Sequence, residues 1–314
     1  MSAVRRALGV LGLATFLAIL VIVFSTTADH FFAYSNLIIV LSSVAVIGIS
    51  SIGQTFAIIS GGFDLSVSGI LPMGAVVFGI LANDGFPLLA ALVLAILVGA
   101  AVGLVNGAII TLAGIDPLIT TLGMLSVTGG LALVITNGVN KPFDNIDDGV
   151  LAVSSVGDIP NPIWILLGLA LVAAFVLSFT VYGRMLFVLG GNREASRLAG
   201  LRTALLTTSV YVVSGALAAF AGVVVASQLL SGSPTVGRDA SLTSIAAVIL
   251  GGGVLGGGRG GVFGTLLGVL VLGTLSNGLA LLQIPSFYQQ IATGGVLLIA
   301  VGFSRLQKAA VRAA

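Results

Sequence analysis

The chain has 314 residues, of which 58% are hydrophobic and only 7% charged, and its mean hydropathy is +1.23. A soluble domain carries about 25% charged residues, so a water-soluble globule is excluded, and with it any cytosolic enzyme. The lack of cysteine removes disulfides, thiolate metal sites and cysteine nucleophiles, and a formal net charge of +2 without aromatic–basic interleaving offers no nucleic-acid surface.

A spanning helix needs about 20 mostly apolar residues. Arg5 and Arg6 precede the first apolar run, Leu8–Phe24, which reads as a signal anchor or first span, because the following STTADH is a weak cleavage site. His30 lies in that polar gap with only Asp29 beside it and reads as a solvated loop histidine. Further runs are Leu37–Ile59, Val67–Leu81, Pro87–Leu112, Pro117–Ile135, Ile163–Val181, Leu205–Leu229, Ser241–Gly251, Val262–Leu282 and Gln289–Val301. The expected fold is an all-α polytopic membrane helix bundle of about ten transmembrane helices. Val67–Leu81, Ser241–Gly251 and Gln289–Val301 are short, so half-helices or re-entrant segments are expected there.

Threading from an inside N-terminus places Arg5, Arg6, Arg184, Arg193, Arg197, Arg202, Arg259, Arg305, Lys308 and Arg312 in the cytoplasm. Only Lys141 and Arg238 fall outside, and Asp144, Asp147, Asp148 and Asp158 share the outer segment Asn137–Pro162. This asymmetry follows the positive-inside rule and requires an even number of spans with both termini cytoplasmic. The chain reads as one transmembrane domain over 1–314, with halves at about 1–136 and 163–314, an outer loop at 137–162 and a cytoplasmic segment at 183–204.

The halves share a pattern. Gly62-Phe63-Asp64-Leu65-Ser66 recurs as Gly237-Arg238-Asp239-Ala240-Ser241, Asn106-Gly107 as Asn277-Gly278, and Thr128-Gly129-Gly130 as Thr293-Gly294-Gly295. The order is kept and the offset is five spans, so a five-plus-five inverted repeat is expected, a recurring transporter design.

Charge inside a membrane is expensive, which makes Asp64 a functional suspect. In Ser60-Gly61-Gly62-Phe63-Asp64-Leu65-Ser66 the glycines break the helix, and Asp64, then Ser66, either cap the next helix or face a central passage. Asp116 before Pro117, with Thr120 and Thr121 following, reads as a helix start. The glycines at 251–253, 256–258, 260 and 261 around Arg259 lack P-loop spacing and read as close packing and a tight turn. Gly183-Arg184-Met185 opens the cytoplasmic segment. Within it Asn192 is placed to cap a short helix with Glu194 in its first turn, Arg197 near its end and Gly200 as its stop. Ala195, Leu198 and Ala199 give that helix a small apolar face, which suits either a partner's handle or a solvated connector.

GGFDLSVSG, DPLITTLGMLSVTGGLALVITNG, GRMLFVLGGNREASRLAGL and SIAAVILGGGVLGGGRGGVFGTLLG, in that order, resemble successive signatures of the bacterial ribose-type (monosaccharide) ABC importer permeases, the binding-protein-dependent inner-membrane components. The similarity runs from about Thr55 to the C-terminus. The resemblance implies a transport subunit with no catalytic or metal site of its own, placed in the bacterial cytoplasmic (inner) membrane. Its implied partners are a second permease chain, identical or a sister, a cytoplasmic ATPase that binds ATP and Mg, and an extracytoplasmic sugar-binding protein. It also assigns Asn192, Arg193, Glu194, Ala195, Ser196, Arg197, Leu198, Ala199 and Gly200 to ATPase coupling. Gly61, Gly62, Asp64, Ser66, Asn106 and Asn277 are the expected pathway or gate residues. One departure stands out: many members carry Glu-Leu just before the Ile-Ala-Ala triplet, whereas this chain has Ser241-Leu242 before Ile245-Ala246-Ala247. The expected activity is ATP-driven uptake of a small neutral sugar by alternating access. The alternative is an ion-coupled secondary transporter using Asp64 and Asp116.

Overall fold

The computed structural model describes residues 2–142, 151, 155–296 and 298. The expected placements of Asp144, Asp147, Asp148, the end of the last span, Arg305, Lys308 and Arg312 lie outside these residues, as do the side chains of Arg5 and Arg6. In lipid every backbone polar group must be satisfied internally, so the apolar runs become helices. These are α1 (Ser2–Thr27), α2 (Tyr34–Ile59), α3 (Val67–Asn83), α4 (Leu88–Leu112), α5 (Pro117–Thr136), α6 (Asn161–Phe179), α7 (Val181–Gly191), α8 (Arg193–Leu198), α9 (Thr203–Leu229), α10 (Ala240–Leu250) and α11 (Val262–Leu281). Residues 286–296 are also helical. Short strands β1 (Lys141–Pro142), β2 (Ser155–Val156), β3 (Ile159–Pro160) and β4 (Ser231–Gly232) form two antiparallel pairs, β1 with β4 and β2 with β3.

Among the described residues, 6 helices are long and apolar enough to cross a bilayer: α2, α4, α5, α6, α9 and α11. The chain is thus a multi-pass helical membrane protein. The expected third and eighth spans are α3, with 17 residues, and α10, with 11. At 1.5 Å per residue these are about 25 Å and about 16 Å long, against a hydrocarbon core of about 30 Å. By length, α10 is a half-helix.

α9 lies at the centre, packed on α2, α3 and α4. Helix association in lipid depends on close van der Waals approach, because no water is released between apolar faces. The sequence provides that approach with Gly99, Gly103 and Gly107, spaced one turn apart along α4. A Cβ there would stand 2.3 Å from the Gly215 carbonyl oxygen, 2.1 Å from that of Tyr211 and 2.6 Å from Thr208 Cα, respectively. The two helices touch backbone to backbone. On another face of α9, a Cβ at Gly222 would meet the Leu71 carbonyl oxygen of α3 at 2.0 Å.

The connections sort to two ends of the bundle. At one end, the backbone N–H of Gly258 donates to Ile59 O (2.9 Å), and Pro117, Asn192 and Thr207 share one cavity. At the other, β1 pairs with β4, Asn83 Nδ2 donates to Pro142 O (2.8 Å) and the Tyr34 hydroxyl donates to Asp158 O.

The segment expected from Gly183 starts as helix: α6 breaks at Thr180, one residue from the expected end of that span at Val181, and the chain continues as α7 to Gly191. Thr180 is extended (φ −95°, ψ 160°), and its hydroxyl accepts the Gly183 N–H at 3.1 Å. Gly183, Leu186 and Leu189 are buried, and a Cβ on Gly183 would stand 2.4 Å from Val176 O. That glycine lets α7 fold closely against the end of α6.

The α4–α9 seam gives a direct test. Gly103→Val should destabilise the protein by about 1–3 kcal/mol or more through overpacking. Gly123→Val on α5, where nothing lies within 4 Å of the Cβ position, should stay within about 0.5 kcal/mol. Thermal unfolding of the two variants in detergent checks the difference.

Candidate functional site

The break between α2 and α3 is built by glycine. Gly61 adopts φ +90°, which lets the chain reverse, and a Cβ on Gly62 would lie 2.6 Å from the Tyr211 hydroxyl oxygen. The chain then folds back along α2 until the Gln54 side chain reaches the backbone of Asp64. With the amide oriented to satisfy both groups, its nitrogen donates to Asp64 O (3.1 Å) and its oxygen accepts from Asp64 N–H (3.0 Å). Asp64 Oδ1 accepts from the Ser66 N–H (2.9 Å) and from the Ser66 hydroxyl. Ser66 Oγ in turn accepts from Asn106 Nδ2 of α4 (2.8 Å).

Gln54, Asp64, Ser66 and Asn106 are all 0% exposed. Asp64 Oδ2 and Asn106 Oδ1 make no hydrogen bond among the described residues. The Ser214 hydroxyl of α9 faces the Asp64 carboxylate without meeting hydrogen-bond geometry. The Tyr211 hydroxyl donates to Phe63 O at 3.4 Å. The sequence named Asp64, Ser66 and Asn106, and the structure joins them. Gln54, Ser214 and Tyr211 escaped it, because one polar residue in an apolar helix carries no sign of what it meets.

The capping of α3 departs from expectation. Asp64 bonds the N–H of Ser66, which precedes the helix, and Ser66 makes no side-chain cap. The cap comes instead from α10. Ser68 N–H donates to Ser241 Oγ (2.8 Å), and Ser241 N–H donates to Ser68 Oγ (2.9 Å). The Ser241 hydroxyl then donates to Leu65 O (2.6 Å). Each serine is the second residue of its helix, so the two N-termini abut and each satisfies a free N–H of the other. The partner of Ser241 in this contact is Ser68, two residues beyond the Ser66 with which the sequence pattern aligns it. Ser241 is the residue at which the chain departs from the Glu-Leu pattern.

Asn277 does not join this network. It forms a reciprocal amide pair with Asn36 (2.8 and 3.1 Å), near the opposite end of α2 from the break. Asn106 therefore ties α4 to the start of α3, and Asn277 ties α11 to the start of α2. Gly129, Gly130, Gly294 and Gly295 have open space at their Cβ positions.

α8 forms as its sequence dictates. Asn192 Oδ1 accepts the Ala195 N–H (2.9 Å), and Gly200, at φ +82°, ends the helix as Leu201 N–H returns to Ser196 O (3.1 Å). Ser196 is buried and its hydroxyl donates to Asn192 O (2.7 Å). Glu194 and Arg197 form a solvent-exposed ion pair at 2.7 Å, whose hydrogen bond and charge raise the Arg197 pKa further above its usual value. Leu198 is 78% exposed, with Arg193, Ala195 and Ala199 exposed around it.

Asp116 is exposed and caps α5, accepting the Leu118 N–H at 2.8 Å. Asp64 and Asp116 are thus separated, one inside the bundle and one at its surface. Among the described residues no three His, Cys, Asp or Glu side chains cluster to hold a metal ion.

Replacing Ser68 or Ser241 with alanine should cost about 1–2 kcal/mol each. A double-mutant cycle read by thermal unfolding in detergent should give a coupling above about 0.5 kcal/mol, and additive losses would contradict reciprocal capping.

A profile of the family described as "Branched-chain amino acid transport system / permease component" matches residues 36–301. The ribose import permease protein of Bacillus subtilis (strain 168) is 40% identical over 306 residues, covering 93% of this chain and 92% of that protein. The ribose import permease protein of Escherichia coli (strain K12) is 37% identical over 289 residues, covering 91% and 90%. The L-arabinose ABC transporter permease protein of Azospirillum brasilense is 35% identical over 297 residues, covering 95% and 88%. No solved structure matches the chain. With membrane-length helices and similarity along nearly its whole length, the chain belongs to this family of transport-system permease components and resembles its ribose-type ABC members.

Proposed function

We propose that the chain is the permease subunit of an ATP-driven importer of a small neutral sugar and forms the translocation pathway by alternating access. The observation that carries this reading is α8: a capped helix whose apolar and charged groups face outward, beginning three residues after Gly190, which packs on the α2–α3 break. The naming of the relatives for ribose and L-arabinose supports a monosaccharide. The low charge content also suits a neutral cargo, which needs a few placed polar groups in place of ionic clamps.

In this reading Asn192–Gly200 docks on a cytoplasmic ATP-binding subunit that holds ATP and Mg, an extracytoplasmic sugar-binding protein delivers the cargo, and a second permease chain completes the pathway. Gly61, Gly62, Asp64, Ser66 and Asn106 support the inner gate, and Asn277 holds α11 to the outer end of α2. The protein sits in the bacterial inner membrane with both termini in the cytoplasm. Sorting of the connections to two ends supports the alternation of about ten spans. The abutting starts of α3 and α10 support two inverted halves, about 1–136 and 163–314.

The test is the double variant Glu194→Ala/Arg197→Ala in the full complex reconstituted in proteoliposomes. Uptake should fall by about tenfold or more while the ATPase subunit continues to hydrolyse ATP. Full uptake in the variant would count against docking through α8. Uptake by the unmodified complex that persists without ATP and collapses with an ionophore would replace the reading by ion coupling.

A further inference from the structure

Three segments meet backbone to backbone beside α8. A Cβ on Gly190 would stand 1.9 Å from Ile59 O and 2.6 Å from Gly258 N. One on Gly257 would stand 2.6 Å from Gly190 O and 2.7 Å from Gly61 Cα. Gly257 and Gly258 sit at φ +79° and +71°, and the Gly258 N–H donates to Ile59 O at 2.9 Å. No side chain intervenes at any of these contacts. Such a junction has no rotamers to absorb a displacement, and close-packed atoms transmit strain.

What the three segments lead to gives the junction its meaning. Gly190 lies in the last turn of α7, and α8 begins three residues later at Arg193. Gly61 opens the chain that passes through Asp64 into α3. Gly257 and Gly258 follow α10, whose adjoining end is packed on α11: a Cβ on Gly251 would lie 2.2 Å from the Gly264 carbonyl carbon, and one on Gly268 2.1 Å from Ala247 O. The start of α3, next to that break, and the start of α10 are joined by the Ser68–Ser241 caps. The contacts close a ring: from Gly190 to the break, through Asp64 to the start of α3, across the two serines, down α10 and back to Gly190.

We propose that Ile59, Gly61, Gly190, Gly257 and Gly258 form a rigid backbone joint, so that a displacement of α8 moves the α2–α3 break and the α10–α11 loop together and reaches α3 and α10 at once. These are positioning residues, and the proposal rests on the reading of α8 as the ATPase-docking helix. The joint acts by contact alone: adding one methyl group at Gly190 pries it open, whereas a covalent bridge across it leaves the moving body intact.

The experiment uses the full complex with its ATPase and binding protein in proteoliposomes. Gly190→Ala should leave ATP hydrolysis within about twofold of the parent while uptake falls by about tenfold or more. Gly191→Ala and Gly256→Ala, where nothing lies within 4 Å of the Cβ position, should match the parent. Normal uptake by a normally assembled Gly190→Ala complex would overturn the joint. A second arm does not depend on that variant folding. Gly191→Cys/Gly256→Cys places two thiols on one cavity of a chain with no other cysteine, and a short bifunctional thiol reagent bridges them. Uptake that survives bridging supports a single moving body; uptake lost on bridging and regained on reduction would overturn it. If the unmodified complex takes up sugar without ATP, the ATP-driven reading fails and the joint fails with it. ATP-dependent uptake in the parent with either contrary result removes the joint alone.

Discussion

Two helices begin inside the depth of the bundle, where no water can satisfy their first N–H groups, and the rest of the architecture is arranged around that constraint. A free N–H in a water-poor interior costs about 1–3 kcal/mol, and the two positive helix ends also repel each other across a short gap. Ser68 and Ser241 answer both demands, since each side-chain oxygen lies between the two termini and accepts from the opposite one. Bringing serines 173 residues apart to that spot requires the chain to double back at Gly61. It also requires the segment after α9 to descend beside α3, which Gly237 does against the Leu71 side chain.

The buried carboxylate at Asp64 belongs to the same solution. Its first oxygen takes two bonds from Ser66, and Gln54 holds its backbone, so the hairpin between α2 and α3 is fixed on three sides. Asn106 extends the hold to α4, and α4 is bound to α9 through the glycine seam. The polar network and the glycine contacts therefore act together. The glycines bring backbones close enough for the polar groups to be buried, and the polar groups fix which backbones meet. Removing one partner from such a network exposes the desolvation cost of the others.

Much of this was legible in the sequence. Apolar runs gave the long helices, shortness marked α3 and α10, and Asn192, Gly200 and Asp116 announced their caps by residue type and position. Long-range pairing was not legible. Ser241 drew notice only as a departure from a pattern, and nothing nearby indicated that its partner was Ser68. Gln54 and Asn36 are single polar residues in an apolar helix, a signal that marks a buried contact without naming it. The seam on α4 was hidden by abundance: with 44 glycines in the chain, those that touch a neighbour cannot be told from those, such as Gly129, that face open space. The break at Thr180 lies one residue from the expected end of the sixth span at Val181, but the helix α7 beyond it was not legible, because nothing local shows that Gly183 packs on Val176.

A transport subunit needs a part that moves and a part that receives the push. Under the proposed function α8 receives that push, and α8, the hairpin at Asp64 and the starts of α3 and α10 are neighbours in one ring of contacts. All of it depends on α3 and α10 meeting end to end. The most direct measurement is oxidative cross-linking of Ser68→Cys/Ser241→Cys in native membranes, in a chain with no other cysteine. Disulfide formation needs Cα atoms about 4.4–6.8 Å apart. The account predicts an intramolecular disulfide, seen as a gel shift reversed by reductant and absent from either single variant. No disulfide at these positions, while Pro142→Cys/Ser231→Cys across the β1–β4 pair closes under the same oxidant, would contradict it.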